Sequence, residues 1–472
     1  MRVVPLVLAV ALFMENMDST VIATSLPAIA ADIGSEPISL KLALTSYLVA
    51  LAIFIPLSGY MADRLGAKNV FRAAIVVFLL GSICCAFSDS LPTFVLSRFL
   101  QGIGGSMMTP VARLVLVRST PRRELVSAMA WLTIPALIGP MTGPPLGGFL
   151  TTYFTWHLIF WINVPIGLVG LVLITRYLDD DGVRIHLPID VPGLLLTGTS
   201  FAGILFGFSV ISLPAISPNY GYLSVAVGLV TGFLYLRHAR KVSNPILDPS
   251  LFRLPLFRNA IVSGSLFRIG IGAFPFLMPL MLQLTFGLTP FESGLTTFVA
   301  AFGAILSKFG AERLFRRFGF PRALIATSAI GCAFLALNGL FTPAVPHWLL
   351  MASLLVGGLA RSFFFTGVNA LVFADIDDEK TSQATSLNAV CQQLSVAAGV
   401  AVAGGVLSLA AGSDGHLTLS DFHIAWFVVA ALAALSAVPF LKLPPDAGNE
   451  VSGHGERTPG HHAASRPDPQ TG

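Results

Sequence analysis

Charge is scarce in this chain. Asp, Glu, Lys and Arg make up only 11% of its 472 residues, where a soluble domain carries about 25%. So little polar surface excludes a water-soluble globule for most of the length and makes lipid the solvent. Cysteine is scarce too. Cys84, Cys85, Cys332 and Cys391 all sit in apolar runs and no CxxC pair occurs, which argues against a disulfide framework and a zinc site. Nucleotide-binding loops, nucleophile elbows and metal-ligating clusters are missing, so nothing points to an enzyme, a metal or a cofactor. His461 and His462 fall in a polar, Pro- and Gly-rich terminus, where a solvated tail is expected. The formal charge of +4 says less about partners than the placement of the cations does. No nucleic-acid partner is expected.

Long apolar runs are what the chain has. Fourteen are long enough, or nearly so, to cross a hydrocarbon core of about 30 Å at about 1.5 Å per helical residue. They lie near 3–27, 43–62, 71–90, 92–117, 127–152, 158–178, 192–213, 219–236, 259–283, 291–311, 322–341, 347–373, 383–411 and 422–442. Lipid forces each to satisfy its own backbone, so helices are expected and the fold class is an all-α polytopic membrane protein. Arg2, the run Val3–Phe13 and the small residues Ala28-Ile29-Ala30 imitate a secretory signal. The apolar pattern resumes after Asp18, which favours a first span instead. Orientation follows from the cations. With both termini cytoplasmic, 22 of the 28 Lys and Arg fall inside, only Lys41 falls outside, and Arg98, Arg113, Arg268, Lys308 and Arg361 remain within helices.

"DRLGAKNVFR" (Asp63–Arg72) after the second span and "RRFGFPRALI" (Arg316–Ile325) after the tenth are short basic turns with a glycine at the fourth position, Gly66 and Gly319. They divide the chain into a six-helix bundle over 1–178, an inserted helix pair with cytoplasmic linkers over 179–258, a second six-helix bundle over 259–442 and a disordered cytoplasmic tail over 443–472. Parallel six-helix halves indicate a secondary transporter with its site at the midplane. The deep charges support the division. Glu15 and Asp18, Arg98, Arg268 and Arg361 lie on spans one, four, nine and twelve. Without the inserted pair these are the first helices of the three-helix units. Intramembrane ionisable groups face a bundle interior or a wet cavity, so the four helices are expected to line one cavity.

The motifs carry a family resemblance. "GYMADRLGAKNVFR", with Gly59, Asp63, Arg64, Gly66 and Lys68, resembles the signature loop of the major facilitator superfamily, although Met61 stands where that family has Leu. Gly59 is expected to permit close helix approach, and Asp63 to reach Arg113 and latch the outward-facing state. "LSRFLQGIGGSMMTPVARLVL", with Arg98 and Gln101, resembles the fourth-helix motif. "GPMTGPPLGGFL", with Gly139, Gly143, Pro144, Gly147 and Gly148, resembles the motif of the antiporter branch. Glycines spaced by four make a flat packing face and prolines bend the helix. With "MDSTVIATSLP" and "WHLIFWINVPIG", the chain resembles the fourteen-span drug:proton antiporters of EmrB/QacA type, and among them the MdtD-like proteins. The resemblance implies export of amphiphilic drug-like molecules by alternating access, driven by the proton gradient, in a bacterial inner membrane. It implies coupling at the Asp18 position. A monomer is the expectation, and the oligomeric state and accessory periplasmic or outer-membrane partners stay open.

Asp18 and Arg98 lie at depths differing by about 5 Å at about 1.5 Å per residue, so they can pair. Glu15 sits one turn away on nearly the same face. Burial opposes ionisation of a carboxyl and a nearby arginine favours it, so making and breaking this pair forms a two-state proton switch of Asp18, Arg98 and Glu15. Gln101, Arg268 and Arg361 are the candidate substrate-cavity residues. The two arginines leave a second reading, export of an organic anion or a metal chelate. They also leave a structural one, pairing with backbone carbonyls or with Asp18 or Glu15. A cation competes with a proton for a carboxylate, which gives antiport directly. An anion competing for Arg98 favours protonated Asp18 and gives symport, so anion antiport needs a separate site at Arg268 and Arg361. A membrane sensor or scaffold is the remaining alternative from outside transport.

Overall fold

The computed structural model describes residues 3–120, 125–178, 189–211, 217–376, 380–411 and 417–444; the expected tail from 445 on lies outside them. Among the described residues, fourteen helices have fourteen residues or more. They are α1 (Val3–Val21), α2 (Lys41–Phe54), α3 (Ala67–Ala86), α4 (Leu91–Ser119), α5 (Leu125–Tyr153), α6 (Asn163–Tyr177), α7 (Val191–Ile211) and α8 (Pro218–Ala239), then α9 (Pro255–Gly272), α10 (Pro290–Leu306), α11 (Phe320–Asn338), α12 (His347–Val372), α13 (Thr381–Ala410) and α14 (Leu419–Ala434). Twelve segments are long and apolar enough to cross a membrane by length and composition; α5 and α10 stand outside that set, and α10 has 17 residues.

The expected spans are interrupted where the sequence dictates. A short helix, Leu57–Leu65, continues α2 past Pro56, and another, Phe274–Leu284, continues α9 past Ala273 with Pro275 in its first turn. Proline lacks an N–H and clashes with the preceding turn, so the ladder resets there. Gly66 and Gly319 end corresponding helices of the two halves with φ of 88° and 71°. An L side chain resists that left-handed region, which accounts for glycine in both turns.

One buried core holds the N-terminal half around Leu8, Tyr47, Phe71, Phe78 and Val111. The larger core runs from Phe267, Phe276, Phe364 and Trp426 of the other half across to Ile22, Leu26, Phe94 and Phe160. The halves are thus fused at one end of the bundle. Polar contacts there include Gln283 Nε2 donating to the Thr24 carbonyl at 2.9 Å, the Phe291 N–H donating to Thr152 Oγ1 at 3.1 Å and Lys41 Nζ donating to Ser408 Oγ at 3.4 Å.

α7 and α8 pack on each other, and α7 rests on both α2 and α13, with Leu205 buried against Val49 and Ala397. The pair therefore covers the seam between the halves. Asp190 fastens it. Its carboxylate accepts from the Gly193 N–H at 2.9 Å, the Ile246 N–H at 3.2 Å and His238 at 2.6 Å. Burial pushes the Asp190 carboxyl up, but the bonds from His238, Gly193 and Ile246 outweigh it and hold the group below its ordinary value.

Candidate functional site

Three helices of the N-terminal half meet around one carboxylate. Asp18 of α1 is 0% exposed. Arg98 Nη1 donates to its Oδ2 at 2.8 Å. Gln101 Nε2 and Asn163 Nδ2 donate to its Oδ1 at 2.9 and 2.6 Å. α4 supplies Arg98 and Gln101 from one face because they are three residues apart, and α6 supplies Asn163 from its first turn. The donors are themselves held. Arg98 also donates to Gln101 Oε1, and its guanidinium lies 4.3 Å from the Tyr47 ring centre. Asn163 also donates to Ser82 Oγ on α3 at 3.0 Å, and Ser82 donates to the Phe160 carbonyl at 2.9 Å. Removing two charges from water costs several kcal/mol per ion, which a buried pair recovers only with close geometry and additional hydrogen bonds. This carboxylate has both.

Glu15 is placed differently. It is partly exposed, and its Oε2 accepts one bond, from Thr109 Oγ1 at 3.0 Å. Both acids of α1 thus address α4, one sealed and one within reach of a solvent-accessible face.

α5 lies against α1 along the glycine motif. A Cβ on Gly139 or Gly143 would strike the α1 backbone near Phe13 or the Thr20 hydroxyl. At Gly147 it would lie 2.2 Å from the Val21 carbonyl oxygen, and at Gly148 2.3 Å from that of Pro290. The same string therefore packs α5 on the helix carrying Asp18 and on α10 of the opposite half. The Pro144 carbonyl accepts from Thr24 at 3.4 Å.

Several expectations change. Gln101, expected in the substrate cavity, is fully buried and bonded to Asp18 and Arg98; its three-residue spacing from Arg98 turns it inward. Asp63 pairs with Arg118 at 2.6 Å, not with Arg113. Arg118 lies more than a turn further along α4 than Arg113, level with the loop. The Asp63–Arg118 pair fixes the loop to α4. Lys68 Nζ donates to the Thr175 carbonyl of α6 at 3.3 Å, and Arg64 is exposed. Gly59 faces open space and makes no close helix contact. Arg268 and Arg361 make no hydrogen bond or ion pair with any described residue. Arg268 is buried with its guanidinium 4.5 Å from the Phe365 ring centre, and Arg361 lies 5.6 Å from that of Phe274. Neither reaches the acids of α1. Asn163 and Thr109 were not singled out from sequence; a polar residue inside the apolar run "WHLIFWINVPIG" was the available signal for the first.

A chain with two helical halves, glycine-packed seams and a sealed ion pair at bundle depth is a multi-pass membrane transporter, not an enzyme. Its sequence matches the family model described as Major Facilitator Superfamily over residues 8–237 and 260–467. The chain belongs to that superfamily. It is 36% identical over 445 residues to MdtD of Salmonella typhimurium, spanning 93% of this chain and 94% of that one, and 35% identical with the same coverage to MdtD of Salmonella heidelberg. Both relatives are named, provisionally, multidrug resistance proteins. Among solved structures it is similar to a D-xylose–proton symporter, with a TM-score of 0.67 and 15% identity over 94% of this chain and 98% of that one. It is also similar to the human organic anion transporter MFSD10, with a TM-score of 0.61 and 15% identity over 93% and 99%. At these identities the structures share the fold alone.

Proposed function

We propose that this protein is a proton-coupled antiporter that exports amphiphilic, drug-like molecules across a bacterial inner membrane by alternating access. The observation that carries the proposal is the Asp18–Arg98 pair, 2.8 Å long and 0% and 1% exposed. A carboxylate sealed in this way is stable only while charged and paired, or neutral and released, which is the requirement for a proton switch. Asp18 carries the exchanged proton, Arg98, Gln101 and Asn163 hold its charged form, and Glu15 tunes the site from the more accessible face. The names of the MdtD relatives support a drug-like substrate.

In this reading α1 to α14 are fourteen spans, with residues 1–178 and 259–442 as six-helix bundles, 179–258 as the inserted pair and both termini cytoplasmic. The fused end, at Thr24, Thr152, Ser408 and Gln283, is then the outer one, and the structure is closed to the outside. Arg268 and Arg361 contribute to the C-terminal wall of the substrate path. Export of an organic anion or a metal chelate held by these two arginines is the second reading, favoured by their lack of acidic partners among the described residues. To separate the readings, lipophilic cations, organic acids and metal chelates are added in turn to purified protein and released protons are measured. Release by cations alone supports the first reading, and release by acids or chelates alone supports the second.

A further inference from the structure

The C-terminal half contains a small pocket beside Arg361. It has a volume of about 20 Å³ and lies among α9, α10, α11 and α12. Arg361, Asn338 and Ser353 supply its polar groups, and Phe274, Phe334 and Leu335 close it. Asn338 and Ser353 are 4% and 5% exposed. Asn338 Oδ1 and Ser353 Oγ have no hydrogen-bond partner among the described residues, although buried polar groups almost always find one. Arg361 has no ion pair or hydrogen bond among the described residues, only the face of Phe274. One cation and two orphaned polar groups thus converge on one small space.

We propose that this pocket binds a single monatomic anion, of the size of chloride, which neutralises Arg361. Arg361 is partly exposed, and a charge held partly out of water with no counter-charge beside it draws one. The donors suit an anion. Arg361 offers guanidinium N–H groups, Ser353 an O–H, and Asn338 its amide N–H groups once the side chain is turned, since O and N of an amide are interchangeable in placement. A metal cation is excluded by the guanidinium. The space of about 20 Å³ is only a little more than the about 10–15 Å³ that one water needs, which suits a single small ion. This site rests on the first reading of the proposed function, in which Arg361 holds no exported acid and the anion is a resident counter-ion.

The probe is chloride itself, against purified full-length protein in gluconate buffer at constant ionic strength. Chlorine-35 NMR line broadening reports binding, and the melting temperature reports stabilisation. The wild type should broaden the chloride line saturably and melt higher as chloride replaces gluconate. Bromide should compete, and sulfate should not. Arg361→Met should lose about tenfold or more in chloride affinity, as expected for removing a charged hydrogen-bond partner. Ser353→Ala, a milder change that keeps the fold, should weaken binding to a smaller extent. No saturable broadening in the wild type, or equal broadening in Ser353→Ala and wild type, overturns the proposal. Competition by sulfate as strong as by bromide overturns it as well, since it would mean a larger and more open site.

Discussion

Asp18→Asn tests the proton switch most directly. Asp18 accepts from Arg98 on one oxygen and from Gln101 and Asn163 on the other. An asparagine keeps one acceptor oxygen and turns an NH2 group toward donors on the other side. Donor then meets donor, and Arg98 keeps its charge without a counter-ion. Removing one partner of a buried pair costs about 3–5 kcal/mol, so the variant should melt well below the wild type and yet retain its fold, because every helix contact of α1 with α5 is untouched. Its functional defect should be specific. One proton moved with a 100 mV potential supplies about 2.3 kcal/mol, or a gradient of about 50-fold for a neutral substrate. In proteoliposomes the wild type should approach that gradient and release protons when substrate is added. Asp18→Asn should do neither, while still exchanging substrate for substrate, a cycle that needs no net proton. Glu15→Gln should be milder, since Glu15 makes one bond, to Thr109. Full proton-coupled accumulation by Asp18→Asn together with inactivity of Glu15→Gln would refute the assignment and move the proton site one turn along α1.

Three further outcomes are expected. Cysteines introduced by Ser217→Cys and Ser243→Cys should react differently with an impermeant reagent added outside cells; labelling at position 243 but not at 217 contradicts the proposed topology. Asp63→Asn and Arg118→Ala should each slow transport while sparing insertion and equilibrium substrate binding, because a half-exposed pair is worth only about 0.2–1 kcal/mol; wild-type rates in both variants would remove the loop from the cycle. Asp190→Ala should lower the melting temperature by removing the acceptor for Gly193, Ile246 and His238, at a cost of about 1–3 kcal/mol. The folded-state value of Asp190 is depressed, so its contribution is present above the ordinary carboxylate value and is lost as pH falls through the lowered folded one. The wild type and Asp190→Ala should therefore converge in acid, and an equal gap in melting temperature at neutral and acid pH would show that the carboxylate's charge is not involved.

How much of this was legible in the sequence depends on the range of each interaction. Helix existence follows from apolar length alone, so the long helices were visible, while their ends shifted at local breaks such as those after Val21, Pro56 and Ala273. The Asp18–Arg98 encounter was legible because depth along a membrane helix can be counted at fixed rise, and two opposite charges at similar depth have few other partners. Direction around the helix axis was not legible to the same accuracy. Gln101 was placed in the cavity although its spacing of three from Arg98 already put it on the face that turns toward Asp18. Asp63 was given to Arg113 when Arg118, five residues further along α4, was level with the loop. Reach along an axis therefore chose the right helix and the wrong turn. Asn163 was harder still, since a neutral amide announces no partner by charge. Arg268 and Arg361 show the opposite limit. Their depth suggested a shared cavity with the acids of α1, but membrane cations have other ways to be accommodated. Arg268 settles on an aromatic face. Arg361 settles beside Phe274 in a pocket with two orphaned polar atoms. A sequence records which charges lack a nearby opposite, but only packing shows whether the missing partner is a side chain, an aromatic ring or an ion drawn from solution.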